Sequence, residues 1–272
     1  MKINESEIVD ARQRWTSFGN SLTFFLLAFV FIYMVNLIVT YITAKSFGID
    51  ASIKYYKVDY KINEESVKWT VDSLIVIFYM GPFVSFVLAG LLSRLKGLFR
   101  ADPGFAKVFL MWSFFHAMNF CFSSFIGGVA TEQGIWFALA WMGIPTFVQL
   151  IFGLVFIAML YLVGSTSSVF FLECSTYPYA SNPINRQYWL LNAGLKTWFF
   201  GFLLIILIFL PEIRFYELII YFSMVVIIIP IFRTSKLITE VMIVEEVEKP
   251  VFQWKWFVLA IAGILAIRLV FQ

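Results

Sequence analysis

The chain's single histidine, His116, stands in the stretch "FFHAMNFCFSSFIGG" at residues 114–128, three positions before Asn119. On a helix, Ser113, His116, Phe120, Ser123 and Gly127 fall on one stripe at spacings of three and four, with Asn119 and Ser124 beside it. Two kinds of chemistry suit such a stripe. In the first, the imidazole, amide and hydroxyls hydrogen-bond across a helix interface that small residues have brought close. In the second, they line a hydrated cavity and carry a proton or a substrate, as ionisable groups inside a membrane often do. The near absence of other charge within the apolar runs favours the first. Potential partners are Tyr33, Asn36 and Thr40 on one helical face, Asp72 and Ser73 near a span end, and Thr146, Gln149 and Gly153 on another face. Gln149, on the span nearest in sequence, is the expected partner of His116 or Asn119.

Catalytic readings lack residues. Intramembrane zinc proteases carry H-E-x-x-H on a helix, two imidazoles holding the metal while the glutamate acts on bound water. The matching stretch here, His116-Ala-Met-Asn119-Phe120, lacks the glutamate and the second histidine. The segment "NPIN" at 182–185 is faintly similar to the Asn-Pro-Asp segment that supplies the acid in site-two proteases, without the aspartate. That similarity implies at most a catalytically inactive intramembrane-protease-like fold. Ser123 and Ser124 lie about two turns along the helix from His116, too far for a hydrogen bond, and no nucleophile elbow occurs. Gly127–Gly128 sits in a span with no strand before it, which makes it a packing notch, as is Gly153, and not a phosphate loop. No catalytic residue, cofactor or metal is expected. Cys121 and Cys174 lie far apart in the chain and form neither a disulfide framework nor a zinc site.

The elements that position these residues follow from composition. Of 272 residues, 61% are hydrophobic and 14% charged, and the mean hydropathy is +0.86, far from the quarter of charged residues usual in soluble domains. The expected fold is all-α, a polytopic transmembrane helix bundle forming one integral membrane domain over 1–272, in the lipid bilayer. Seven spans are expected, at about 20–43, 70–93, 107–130, 135–163, 190–210, 215–232 and 256–271, with six as the alternative count. The last is short and holds Arg268, which snorkels or marks a re-entrant segment. Pro82 and Pro145 are expected to kink spans two and four. Residues 1–19 form an interfacial segment, with Asn4 or Ser6 as a cap, and do not resemble a removable signal peptide. In the polar connection 44–69, Tyr56, Val58, Tyr60 and Ile62 alternate with Lys57, Asp59 and Lys61, which predicts a small β element on the membrane surface; Asn63 then starts the next helix. Lys196 and Glu217, near span ends, are expected to snorkel. Trp15, Trp69, Trp112, Trp136, Trp189, Trp254 and Trp256 read as an interfacial belt, with Trp141 and Trp198 further in.

About two thirds of the 20 Lys and Arg fall in 1–19, 94–107, 165–196 and 233–255, which places those segments and the N-terminus on the cytoplasmic side of a bacterial-type inner membrane. A net charge of +3, scattered along the chain, excludes a basic nucleic-acid surface. The functional expectation is a non-enzymatic accessory or scaffold subunit that associates with other membrane proteins or with its own copies. A transporter or proton-coupled carrier built on His116, Asn119 and Gln149 is the alternative, and the inactive protease-like fold is a third.

Overall fold

The structure, a computed structural model, describes residues 9–63, 66–95, 105–176, 179, 182–238 and 251–271. The predicted cap at Asn4 or Ser6 and the acidic run at 245–248 lie outside these residues, as does most of the basic loop 94–107. Among these residues the elements run in chain order α1 (Ala11–Ser46), strands β1 (Ala51–Lys54) and β2 (Lys57–Tyr60), α2 (Val71–Leu95), α3 (Phe105–Thr131), α4 (Ile135–Trp141), α5 (Thr146–Thr166), α6 (Ser168–Glu173), α7 (Pro183–Phe209), α8 (Phe215–Ser235) and α9 (Trp254–Val270).

Six of these helices, α1, α2, α3, α5, α7 and α8, are long and apolar enough to cross a membrane, so the protein is a mostly helical, multi-pass membrane protein. The expected seventh span, α9, has 17 residues, about 26 Å of helix. It runs beside α1: Trp256 packs on Phe24, and a Cβ on Gly263 would stand 3.6 Å from Val30. Arg268 is tied to α7. Its guanidinium donates to the carbonyls of Ile208 and Leu210 at 3.0 and 3.1 Å, which satisfies the open C-terminal end of α7.

Side-chain contacts fix the order of the bundle. Helix α3 is central, with 78% of its apolar window buried against 17% for α5. It packs on α1, α2, α5 and α8, which accounts for its small and polar residues. Close approach at the edges uses glycine: a Cβ on Gly164 of α5 would collide with the Ile227 carbonyl and stand 2.5 Å from the Pro230 ring.

Three expectations are corrected. Span one is the inner part of a longer helix, because Asp10 caps α1 through Gln13 N–H and residues 11–19 continue it without a break. Span four does not begin at 135. Helix α4 ends at Trp141, Gly143 turns with φ of 68° and Pro145 precedes α5 in extended backbone. Pro145 therefore starts a helix and kinks none, since its missing N–H costs nothing before the first turn. Helix α2 starts at Val71 and not at Asn63, with Thr70 and Ser73 exchanging side-chain and backbone bonds at 3.1 and 2.9 Å. Pro82 lies inside α2 as expected.

The β element forms, with Ala51 opposite Tyr60 and Lys54 opposite Lys57. It does not lie flat on the end of the bundle. Tyr33 Oη donates to the Tyr55 carbonyl at 2.8 Å, Tyr55 N–H donates to the Phe271 carbonyl at 2.6 Å, and the Tyr55 ring stacks on Phe209. Tyr33 lies 13 residues, about 20 Å, before the end of α1, so the hairpin folds back along that helix with its turn against the ends of α7 and α9.

Candidate functional site

Two sites emerge: a polar seam through the bundle, which contains His116, Asn119, Ser113 and Ser123, and an open cavity beneath the hairpin, which contains Asn36 and Pro82.

In the seam, His116 is 3% exposed and packs edge-on against Phe25 and Phe29, at ring separations of 4.5 and 5.7 Å. Its Nε2 lies 3.1 Å from the Phe25 carbonyl of α1. A carbonyl only accepts, so Nε2 carries the proton. One turn away, Trp112 Nε1 donates to Ser21 Oγ at 2.9 Å, and that hydroxyl donates to the Ala193 carbonyl at 2.8 Å. This relay joins α3, α1 and α7. Ala193 lies in a π-helical stretch, Leu190–Lys196, whose widened turn shifts the carbonyls out of the ordinary helical register. On the other flank, Asn119 Nδ2 donates to the Ile220 carbonyl at 2.7 Å and Oδ1 accepts from Ser223 Oγ at 3.1 Å. Ser223 is where α8 breaks between Phe222 and Met224, so the Asn119 amide patches that break. Ser123 Oγ donates to the Asn119 carbonyl within α3, and Ser113 Oγ is buried with no hydrogen-bond partner among the described residues.

Gln149 does not meet His116 or Asn119. Its Nε2 donates to the Ile144 carbonyl at 2.8 Å, closing the turn ahead of α5; once Pro145 opens a new helix, Gln149 sits in the first turn and reaches back. Gly127 and Gly128 do mark close approaches, to the Tyr216 ring and to Gln133 and Trp136 backbone, whereas Gly153 meets only Val129 at 3.9 Å. Glu217 does not snorkel, because it is paired with Arg214. Trp112 and Trp189 are buried and not in a belt, their indole N–H groups held by Ser21 and by the Phe171 carbonyl, while Trp141 is exposed. The "NPIN" segment also lies away from His116. Asn185 accepts from Val9 N–H just ahead of α1, whereas His116 bonds Phe25 roughly four turns further along that helix.

The cavity, about 830 Å³, lies between the hairpin, α1, α2, α3, α4 and the start of α8. Its helix walls are Asn36, Leu37 and Thr40 of α1 and Ile77, Gly81 and Pro82 of α2. Asn36 donates to Ser85 Oγ at 2.8 Å, and a Cβ on Gly81 would stand 3.0 Å from Asn36 Oδ1. Glycine here lets two polar side chains lie against bare helix, next to the Phe78 carbonyl to which Pro82 gives no N–H. Tyr33, Asn36 and Thr40 thus share one face, as the spacing predicts.

At one end stands a doubly bonded ion pair. Arg214 Nε bonds both Glu217 oxygens at 2.9 and 3.2 Å, its Nη2 bonds Oε1, and its backbone N–H bonds Oε2 at 3.1 Å. Glu217 falls in the first turn of α8, where the helix dipole favours an acid. Burial works against the Arg214 charge, but the Glu217 carboxylate outweighs it and raises the guanidinium pKa. On the hairpin, the Lys61 ammonium holds the Asp59 carboxyl below its usual range, and burial pushes the Tyr60 phenol up. Neither the cavity nor Arg214 was singled out from the sequence. The Arg214-x-x-Glu217 spacing ahead of an apolar run, a capping signature, was the available signal. Comparisons with protein-family models, curated proteins and solved structures found no match to this chain.

Proposed function

We propose that this protein is a non-enzymatic accessory or scaffold subunit, associating with other membrane proteins or with its own copies. One observation carries the reading: the polar side chains of the central spans bond to backbone carbonyls of neighbouring helices. His116 on Phe25, Ser21 on Ala193 and Asn119 on Ile220 each join two helices. Such groups fix a rigid body and leave its outer faces for association. Among the six long apolar helices, α5 has the least support from its own chain, and Phe147, Leu154 and Leu162 point outward from it, Leu154 with 67% of its surface exposed. The proposed orientation keeps the N-terminus in the cytoplasm of a bacterial-type inner membrane, on the distribution of Lys and Arg.

The test is purification in a mild detergent with native lipid, comparing the original chain with an L150A/L154A variant. The expected result is a partner or a second copy at fixed stoichiometry, lost in the variant while the chain stays monodisperse. A bare monomer from both preparations refutes the reading. A single cysteine at Lys54, labelled by an impermeant maleimide from outside intact cells, checks the orientation.

A further inference from the structure

We propose that the cavity beneath the hairpin binds a zwitterionic aminophospholipid, with its headgroup between Arg214 and Gln133 and its chains along the apolar wall. Charge balance is the first argument. Among the described lining residues the charged groups are Lys57, Asp59, Arg214 and Glu217, two of each sign. A ligand with net charge leaves one charge uncompensated in a partly desolvated site, whereas a net-neutral phosphate and ammonium pair matches.

Unused hydrogen-bonding capacity is the second. Arg214 commits Nε and Nη2 to Glu217, and its Nη1 makes no hydrogen bond among the described residues. That leaves donors in a planar fork suited to phosphate oxygens. Gln133 lines the same cavity and its Oε1 is buried with no partner among the described residues, so a rotation of the side chain offers an unused acceptor to a primary ammonium. The aromatic rings of Tyr60 and Trp69, 5.3 Å apart, add faces that attract a cation.

The remaining wall fits the chains. Leu37, Ile77, Phe120 and Ile220 line the cavity, and Phe137 and Trp141 stand exposed on its α4 side. The volume lies within the range of sites that enclose a small molecule, which accommodates a headgroup and the upper chains while the chain ends extend past the rim.

Native mass spectrometry of the detergent-purified full chain, titrated with phosphatidylethanolamine, phosphatidylcholine or phosphatidylglycerol, tests this. The expected result is a one-to-one adduct with phosphatidylethanolamine at about tenfold lower concentration than with phosphatidylglycerol, with phosphatidylcholine between them for lack of N–H donors. Glu217→Gln makes the lining net positive and should move the preference toward phosphatidylglycerol. Asp59→Asn makes the same change on the exposed hairpin, independent of the pair that caps α8, and gives the same shift if the first variant fails to fold. No adduct, equal affinity for the three lipids, or an unchanged preference in the variant that folds overturns the assignment. Any of these leaves the scaffold reading untouched, since that reading uses the α5 face.

Discussion

Replacing His116 separates packing from proton chemistry. In His116→Leu, one hydrogen bond to the Phe25 carbonyl is lost, but that carbonyl keeps its intrahelical partner in α1, and leucine fills much of the space between Phe25 and Phe29. Hydrogen bonds of this kind between membrane helices are worth about 0.6 kcal/mol on average and up to about 1.7, so the expected cost is about 1 kcal/mol. In His116→Ala the ring itself is removed from a site that is 3% exposed. Deleting a large buried ring typically costs about 3–5 kcal/mol, and for the smaller imidazole about 2–4 is expected. Both variants are purified and unfolded by titrating dodecyl sulfate into mixed micelles, with far-ultraviolet circular dichroism as the readout. Alanine should shift the midpoint well beyond leucine. If the two shift it equally, the hydrogen bond and not the ring dominates, and the packing argument fails. If His116→Gln is stable yet abolishes pH-driven uptake into dye-loaded proteoliposomes, the seam carries protons and the scaffold reading falls with it.

Alanine substitutions at four glycines should rank by the space each Cβ meets. Gly164→Ala, against Ile227 backbone and Pro230, should be worst, followed by Gly128→Ala against backbone at 3.0 Å, then Gly127→Ala against the Tyr216 ring at 3.2 Å, with Gly153→Ala tolerated; folded yield in detergent is the measurement. A double-mutant cycle on Asn119→Ala and Ser223→Ala should show a coupling of about 1 kcal/mol, within the range for directly bonded pairs, and additivity would mean the break in α8 is not held by that amide. The carboxyls of Asp59 and Asp50 are held low by Lys61 and Lys45 respectively, so their contribution to the hairpin is present above the ordinary carboxylate pKa and is lost as pH falls through the depressed values. Trp69 fluorescence, reporting the Tyr60 contact, should therefore hold from pH 8 to about 5 and change below about 4.

Where one local signal decides an element, the sequence showed it. The apolar runs of α1, α2, α3, α7 and α8, the alternation at Tyr56–Ile62 and the shared face of Tyr33, Asn36 and Thr40 each follow from a single period. At Pro145 the sequence allows two outcomes, since proline either kinks a helix or begins one, and the nearby Gly143, with positive φ, decides for the second. The π-helical stretch at 190–196 has no comparable signature, since it depends on which carbonyls a neighbouring helix occupies. The cavity was illegible for a different reason. Its walls come from segments as distant as Asn36, Gly81, Gln133 and Arg214, and no window of sequence joins them. Gly164 is one glycine in an apolar run with no local signal, yet its contact is tighter than those of Gly127, Gly128 and Gly153.

The misplaced partner of His116 exposes a general point about sparse polar residues in apolar helices. A side-chain partner for His116, chosen by polarity and nearness in sequence, is Gln149. The structure instead pairs histidine, serine and asparagine with backbone carbonyls, as in Phe25, Ala193 and Ile220. Every helical carbonyl has a second lone pair, so an acceptor exists wherever two helices touch, and no second polar residue has to be placed opposite the first. A chain with 14% charged residues can therefore join its helices with a handful of donors. Side chains pair with one another both inside the seam, as in Trp112 with Ser21 and Asn119 with Ser223, and where the bundle opens, as in Asn36 with Ser85 and Arg214 with Glu217. Along the seam most donors end on backbone carbonyls, with Ser113 Oγ the exception left without a partner among the described residues, whereas around the cavity Asn36 and Arg214 bond other side chains.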